Sequence, residues 1–545
     1  MNGRPEANAK PMPDPAANND PICFTPGSVL HPEQAGSLPW DTATPHAMGG
    51  VPTWLAMCGL ILIIFTSHYF IATRNPNRPF VSPWRFNLLG FAPLKRLVKR
   101  PAFPLTLQFV SLLLFLLVLT AGLFGNSKHN IGPVLTWTWW WALLIFFVLG
   151  FGKAFCSICP WEALSSLITS LSLRSRVKKI GYEKPWPRWA RNIYPATLFF
   201  VLLTWFELGN NVTHSASMTA TLGLLMATTA VLTAIIFERR AFCRYACLVG
   251  RVSGLYSLFS PMELRPISKD TCTDCTSKAC FRGTEEQTGC PTMLFPGNLK
   301  ENTYCTLCTE CVRACPHDNI AINLRPLASD LFNKIRFQWD EATLAVVLLA
   351  LTSFHGLTMT PFWNTWNNQI RVAAGVGPIT SFSLLMGLML IAPILLFWLG
   401  ARTAQKLTRD PAVGTGKIFK AFAYSVVPVA LFYHLAHNSM HFFLEAPKLI
   451  PLLSDPFGWG WDLFGTAQVT YGPLLTLGTL WYFQVGLIVI GHVYGVMIAD
   501  RVARTLFRDS GTALRSLIPL LSIMVLFSAY SIWLIAQPME MRSGM

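Results

Sequence analysis

The chain has 545 residues, 52% hydrophobic and only 13% charged, against roughly 25% charged in a soluble globular protein, so lipid is part of its solvent. Its net charge of +16 is not the footprint of a nucleic-acid binder: the basic residues lie between apolar runs, as the positive-inside rule produces, and are not gathered on one polar domain. The fourteen cysteines do not suit a disulfide framework, because all but two fall between Cys156 and Cys315, mostly at C-x-x-C or C-x-x-x-C spacing, which is metal-ligand spacing and argues for a reducing compartment.

Residues 1–50 contain Pro, Ala and Asn with few apolar runs and no short apolar region before a small-residue cleavage site. They read as a disordered extracytoplasmic tail, not a signal peptide. Ten apolar segments follow that are long enough, at about twenty residues each, to cross a bilayer of roughly 30 Å. They lie near 51–72, 104–125, 134–155, 192–209, 217–238, 342–361, 378–400, 419–445, 473–498 and 514–536, the fourth being the shortest.

Orientation follows from the connecting loops. The 73–102 loop carries Arg74, Arg78, Arg85, Lys95, Arg96, Lys99 and Arg100, and the 161–192 loop Arg174, Arg176, Lys178, Lys179, Lys184, Arg188 and Arg191. Both therefore face the cytoplasm. The loops at 401–418 and 499–513 are basic too and fall on the same side if the helices alternate. Opposite loops hold little beyond Lys128, Arg371 and Lys448, which places both termini outside. Trp137, Trp139, Trp140 and Trp141 open the third helix at its outer end, where an aromatic belt is expected.

Two cysteine pairs sit at cytoplasmic helix ends: Phe155-Cys156-Ser-Ile-Cys159-Pro160 after the third helix and Phe242-Cys243-Arg-Tyr-Ala-Cys247 after the fifth. They share one membrane depth. Two readings stand for them, a third metal centre or buried small apolar side chains.

Hydrophobicity then drops between Met262 and about Leu327, where eight cysteines appear. Cys305-Thr-Leu-Cys308-Thr-Glu-Cys311-Val-Arg-Ala-Cys315-Pro316 is C-x₂-C-x₂-C-x₃-C-P, the run in which three thiolates cap one [4Fe-4S] cubane and the fourth ligates its neighbour. A structural zinc would not need that terminal spacing and proline. The second cluster finds Cys272, Cys275 and Cys280, then Cys290-Pro291, with inserted residues on both sides of Cys280. Cross-ligation assigns Cys272, Cys275, Cys280 and Cys315 to one cluster and Cys290, Cys305, Cys308 and Cys311 to the other.

With these cysteines, residues 104–320 resemble the membrane polyferredoxins encoded beside periplasmic nitrate and nitrous oxide reductases and their relatives in cytochrome oxidase assembly. That group pairs Cys-x-x-x-Cys-Pro after one helix with another after a later helix, ahead of a cytoplasmic two-cluster ferredoxin. Here the first pair has two intervening residues, and Leu248 follows Cys247 where the group has Pro. The resemblance implies electron transfer between a quinone pool, cytoplasmic clusters and a partner such as an extracytoplasmic reductase or oxidase, or electron supply for maturing a metalloenzyme.

The last 200 or so residues lie outside the resemblance and place histidines where lipid would be, a mark of function by default, although hydrogen bonding between helices is the common use. At 1.5 Å rise per residue, His355 and His434 both lie ~21 Å from the inner face and can face each other across a flat cofactor. His441 follows His434 by seven positions toward the outside, with His437 between; His492 sits ~13 Å deep and His68 is shallower. Three readings stand: a b-type haem, a metal or quinone/proton site, and hydrogen-bonded structure. No Cys-x-x-Cys-His occurs, which excludes c-type haem attachment.

The expectation is an α-helical polytopic membrane protein of about ten transmembrane helices with an inserted cytoplasmic α+β two-cluster bacterial-type ferredoxin module, in the bacterial inner membrane. Its parts are the tail (1–50), a five-helix domain with the juxtamembrane cysteines (51–261), the ferredoxin module (262–327) and a second five-helix domain (328–545). Its cofactors are two [4Fe-4S] clusters, with a third centre and a haem as the open readings.

Overall fold

The computed structural model describes residues 47–73, 84–170, 181–285, 287–334 and 336–540. The tail expected at 1–50, except its last four residues, lies outside the described residues, as do Arg74, Arg78, Arg174, Arg176, Lys178 and Lys179. Strand β1 (Ala47–Met48) leads into helix α1 (Thr53–Ala72). Strand β2 (Phe86–Asn87) and the amphipathic helix α2 (Ala92–Lys99) precede α3 (Ala102–Phe124). The next apolar stretch is broken by the chain's own geometry. A π-helical turn over Val134–Trp141 runs into α4 (Ala142–Phe151), Gly152 then takes φ +57°, a conformation that glycine adopts without strain, and a 3₁₀ turn (Gly152–Ser157) leads to α5 (Pro160–Ser170). Helices α6 (Tyr194–Gly209), α7 (Ala216–Ile236) and α8 (Leu248–Tyr256) complete the first half.

The polar module holds β3 (Met262–Pro266) and β4 (Ile320–Leu324). Beyond it come α9 (Trp339–Thr358), α10 (Pro361–Ala374), α11 (Pro378–Thr408), α12 (Thr415–Phe422), α13 (Val426–Glu445), α14 (Leu477–Leu506), α15 (Ser510–Ala536) and β5 (Met539–Glu540). Among the described residues nine helices are long and apolar enough to cross a membrane. The fourth expected segment, 192–209, forms α6, an apolar helix of 16 residues. Strands β1 and β5 pair antiparallel, and Val51 N–H donates to Ile535 at 2.9 Å, so the two ends of the described chain meet.

Helix α13 is the axis of the second half. It is apolar on all sides apart from its histidines, Asn438, Ser439 and Glu445, and nearly every residue of it is buried, as such a helix must be. Gly491 and Gly495 of α14 sit where a Cβ would press on Phe432, Pro428 and Ser425, so small residues let these two backbones approach. Helices α3 and α11 instead present Leu113, Leu114, Leu388 and Leu395 to the outside.

The module's sheet runs β2-β4-β3, all antiparallel. Its edge strand comes from the first interhelical loop, which sequence reading treated only as basic. Leu89 and Val98 of that loop share a core with Leu264, Leu307, Val312, Ile320 and Ile322, and Lys99 pairs with Asp318 at 2.8 Å. Under the sheet lies a buried ionic network: Glu263 meets Arg325 at 2.9 Å and Arg85 at 2.7 Å, and Arg325 also holds Asp330. Burial by itself would raise the Glu263 carboxyl, but Arg265 and Arg325 outweigh it and hold the group below its ordinary value. A depressed carboxylate contributes stability above its unfolded pKa and loses it as pH falls through the folded one.

Two outcomes follow. Glu263→Ala leaves the buried Arg325 on Asp330 alone and should cost the module about 1.5–3 kcal/mol, the worth of a hydrogen bond to a charged group, read as faster proteolysis at neutral pH; in the native chain the same loosening should appear only on acidification below the ordinary carboxylate range. Reporters fused after Leu327 and at the C terminus should report opposite sides, because α9, α11, the α12–α13 span, α14 and α15 intervene; finding both on one side breaks the topology.

Candidate redox site

Each juxtamembrane pair is set by a local break in helix. Cys156 lies in the 3₁₀ turn after Gly152, and Cys159 directly precedes Pro160, whose missing N–H suits the first position of α5. Cys243 lies in a π-helical turn (Phe242–Ala246), and the Cys247 thiol caps α8, accepting from Gly250 N–H at 3.4 Å. The four thiols are mutual electrostatic neighbours: Cys159 feels Cys156 and Cys247, Cys243 feels Cys247 and Cys159, and Cys247 feels Cys156. The structure therefore brings both pairs together.

Two cations are buried against them. Lys153 and Arg251 are each 1% exposed, and neither the Lys153 amino group nor any Arg251 nitrogen has a hydrogen-bond partner among the described residues. Lys153 has Cys156, Cys243 and Cys247 as neighbours, and the Arg251 guanidinium lies 4.5 Å from the Tyr304 ring. Uncompensated burial of a charge costs several kcal/mol, so the site calls for an anion. Four cysteine thiolates around an oxidised [4Fe-4S] core are a dianion, which fits both the donor set and the surplus charge. A further buried pair, Glu162 with Arg240 at 2.5 Å, borders Cys243, whose sulfur is 3.8 Å from Glu162.

In the module the eight cysteines fall into two neighbourhoods. Cys280 feels Cys315, Cys272 and Cys275, while Cys311 feels Cys308, Cys305 and Cys290. Asn319 ties the distant members of the first group, its amide N–H to Cys315 and its side chain to Cys272, both at 3.4 Å. Burial pushes the Cys280 thiol up to about 11 and Cys305 up to about 12, a penalty that a bound cation removes. Ser277 and the Lys278 amide hold the half-buried Cys275 down to about 7. The groups adjoin in a row: Cys311 senses Cys280 in one direction, and Arg240 senses both Cys308 and Cys243 in the other. Among the described residues no three His, Cys, Asp or Glu side chains converge tightly enough for a single metal ion; a cubane's own core keeps its four ligands apart.

Next to this row lies a cavity of about 530 Å³, within the range of small-molecule sites. Its wall includes Trp140, Trp141, Trp161, Glu207, His355 and His434. Trp161 is two residues beyond Cys159, so the cavity adjoins the juxtamembrane thiols. Leu107, Val110 and Leu114 of α3 also line it and are exposed on the lipid-facing side. This corrects the aromatic-belt expectation for the tryptophans after Ile131. Trp137 donates to Thr219 at 3.0 Å, Trp139 to Ala446 at 3.2 Å, and Trp140 packs on Trp161 at 5.7 Å between ring centroids. They turn inward because the π-helical turn widens one register and aims successive rings at α7, α13 and the cavity.

The histidines divide. His355 and His434 both line the cavity, but the ring against His355 is His437, at 4.8 Å between centroids. His437 in turn adjoins His441 at 5.1 Å. His434 lies beside Trp141 and Tyr256, with its Nδ1 3.4 Å from the Tyr256 hydroxyl. His492 stands apart, clamped between Ser67 at 2.7 Å and Ser528 at 2.9 Å. With both ring nitrogens on hydroxyls it is a link between α1, α14 and α15, not a ligand near the clusters. His68 lies outside this group.

Residues 133–180 and 219–264 match the 4Fe-4S binding domain, and these two segments are the ones that carry the juxtamembrane pairs. The chain carries a 4Fe-4S binding domain among helices long and apolar enough to cross a membrane. It is 32% identical over 190 residues to YccM of Escherichia coli (strain K12), named provisionally as an electron transport protein; the match covers 30% of this chain and 49% of YccM. The chain thus spans about half the length of the curated relative it matches. No solved structure matches it. What sequence reading missed in this iron–sulfur protein was the cation pair, although lone basic residues at apolar helix ends, Lys153 three before Cys156 and Arg251 four after Cys247, were its signal.

Proposed function

We propose that the protein relays electrons between a membrane quinone pool and a redox partner, through three [4Fe-4S] clusters held by Cys156, Cys159, Cys243 and Cys247; by Cys290, Cys305, Cys308 and Cys311; and by Cys272, Cys275, Cys280 and Cys315. The observation that carries this reading is the adjacency of a lipid-accessible cavity to the juxtamembrane thiols, with the module's two groups continuing the row away from the membrane. Such clusters supply one-electron exchange without proton transfer. The chain's own part is to bury Lys153 and Arg251 against the thiolates, which favours the reduced, more anionic state, and to offer a quinol ring an apolar slot walled by Trp140, Trp141 and Trp161.

The module's face is the cytoplasmic face of a bacterial inner membrane in this reading. Lys184 and, near the ends of helices α2, α11 and α14, Lys95, Lys99, Arg402, Lys406 and Arg501 lie on the module side of an alternating helix order, and the pairing of β1 with β5 supports counting α6 as a tenth crossing, since the chain's two ends then share the other face. The redox partner in this reading meets the module, where the row of cysteine groups ends. The second reading for the cavity is a b-type haem ligated by His355 and His434, favoured by their both lining it.

Anaerobically prepared protein should hold about twelve irons, four for each cysteine group, and Cys308→Ser should remove one cluster's spectral signal while leaving the others. A quinol analogue should bleach the cluster absorbance of the purified protein, and Thr204→Trp, which fills the cavity, should suppress that bleaching while dithionite still produces it. Absence of bleaching at any quinol potential refutes the relay. Haem bands in the dithionite-reduced spectrum, lost in His434→Ala, would assign the cavity to haem instead.

A further inference from the structure

The buried acids and bases of α13 have no place in electron transfer through cysteine-held clusters, yet they form a continuous line. His355 of α9 lines the cavity. Its ring is 4.8 Å from His437, His437 is 5.1 Å from His441, and His441 Nδ1 is 3.6 Å from the Glu445 carboxylate. His437, His441 and Glu445 recur at every fourth residue, so they stack along one helix face over ~12 Å. Each of these three is 3% exposed. At the far end Glu445 is approached by the Thr138 hydroxyl at 3.4 Å and the Lys448 amino group at 3.8 Å, and Lys448 is 23% exposed. The line therefore starts at the cavity and ends at a partly exposed cation on the face opposite the module.

We propose that His355, His437, His441 and Glu445 form a proton exit path from the cavity to the face opposite the iron–sulfur module. The proposal rests on the quinone reading of the cavity. Oxidation of a quinol there breaks two O–H bonds, yields the quinone, and sets free two electrons and two protons. The electrons leave toward the cysteine groups on the module side. The protons are taken by His355 and passed along the line, each imidazole accepting at one ring nitrogen and releasing from the other, the property that makes histidine a proton shuttle. Ring spacings near 5 Å are bridged by direct transfer or by one water.

Tyr433 flanks His437 at 6.4 Å between ring centroids, Asn438 turns its amide back to the His434 carbonyl, and Gln484 donates to the Ala436 carbonyl. Lys448 stands beside Glu445 at the end of the line. Ionisable side chains inside a membrane are expensive to bury, and chains of them mark proton relays. Hydrogen bonding between helices explains one such residue at a time; it does not explain four in file with a cavity at one end and an exposed cation at the other. Electrons leaving on one face and protons on the other make the turnover electrogenic.

The test uses full-length protein in liposomes with the module outward, a pH dye in the lumen, a quinol analogue, and membrane-impermeant ferricyanide outside as electron acceptor. The lumen should acidify as quinol is consumed, by two protons per quinol oxidised, and an uncoupler should abolish the signal. His441→Gln and Glu445→Gln should each lose lumenal acidification, Glu445→Asp should restore part of it, and quinol should still bleach the clusters of all three in a single turnover, with the dithionite spectrum reporting intact folding. Protons appearing only outside, or undiminished acidification in both His441→Gln and Glu445→Gln, would overturn the path while leaving the relay standing. Failure of quinol to bleach clusters in the unsubstituted protein sinks the relay and the path together, so the two failures are told apart.

Discussion

Positive charge buried without hydrogen-bond partners is rare because each such group costs several kcal/mol, and here two occur side by side at the edge of the helix bundle. Lys153 and Arg251 sit at the ends of α4 and α8, each beside a cysteine of the juxtamembrane group. An anion held among those thiols would offset them, and the surrounding architecture suits holding it. Gly152 breaks α4 so that Cys156 can turn in; Cys247 starts α8 by capping it; Glu162 neutralises the third nearby cation, Arg240, which would otherwise add to the surplus. The balance also bears on redox behaviour, since two uncompensated cations at a low-dielectric site stabilise added negative charge far more than the same pair would at a surface.

The same residues join the membrane bundle to the polar module. Gly254 of α8 leaves room for the Thr303 carbonyl, where a Cβ would collide, and Tyr304 then lies under Arg251 with Cys305 next in sequence. Asn302 donates to Met262 at 2.6 Å and takes its own N–H to Asp330 at 2.8 Å. Lys334 bridges Glu301 at 2.6 Å and Glu341 of α9 at 2.9 Å, and Tyr424 donates to that same Glu341. The module is thereby gripped from both halves of the bundle, through charges that are mostly buried and so little weakened by salt.

Much of this was legible in the sequence, and the parts that were share one property: they are local. Ligand spacing in Cys305–Cys315 and apolar runs of membrane length depend on residues close together in the chain. What escaped was set by contacts between distant segments. Phe86 and Asn87 become an edge strand only because β4 is there to pair with them. The tryptophans after Ile131 read as a belt because sequence shows depth but not azimuth, and the π-helical turn rotates them inward. His355 and His434 were matched by depth alone; azimuth decides instead for His437, three residues on, as the ring that meets His355. Even the cavity follows from packing among α3, α4, α6, α7 and α13, none of which announces a gap by itself.

The two halves of the bundle then differ in a way that composition hides. The first half is loosely packed around a cavity and keeps its polar groups at the module end, where cysteines and cations meet. The second half is dense, and its most enclosed helix, α13, is the one that carries three histidines and a glutamate. Stability alone would choose the opposite arrangement, because polar side chains cost least where water or lipid headgroups reach them. A helix enclosed on every side is, however, the one place where an acid–base series is shielded from lipid, fixed in register by close neighbours such as Gly491 and Gly495, and insulated from the redox end by apolar packing. In the proposed turnover, enclosure would separate the route of protons from the route of electrons, and that separation would let one oxidation send its two products to opposite faces.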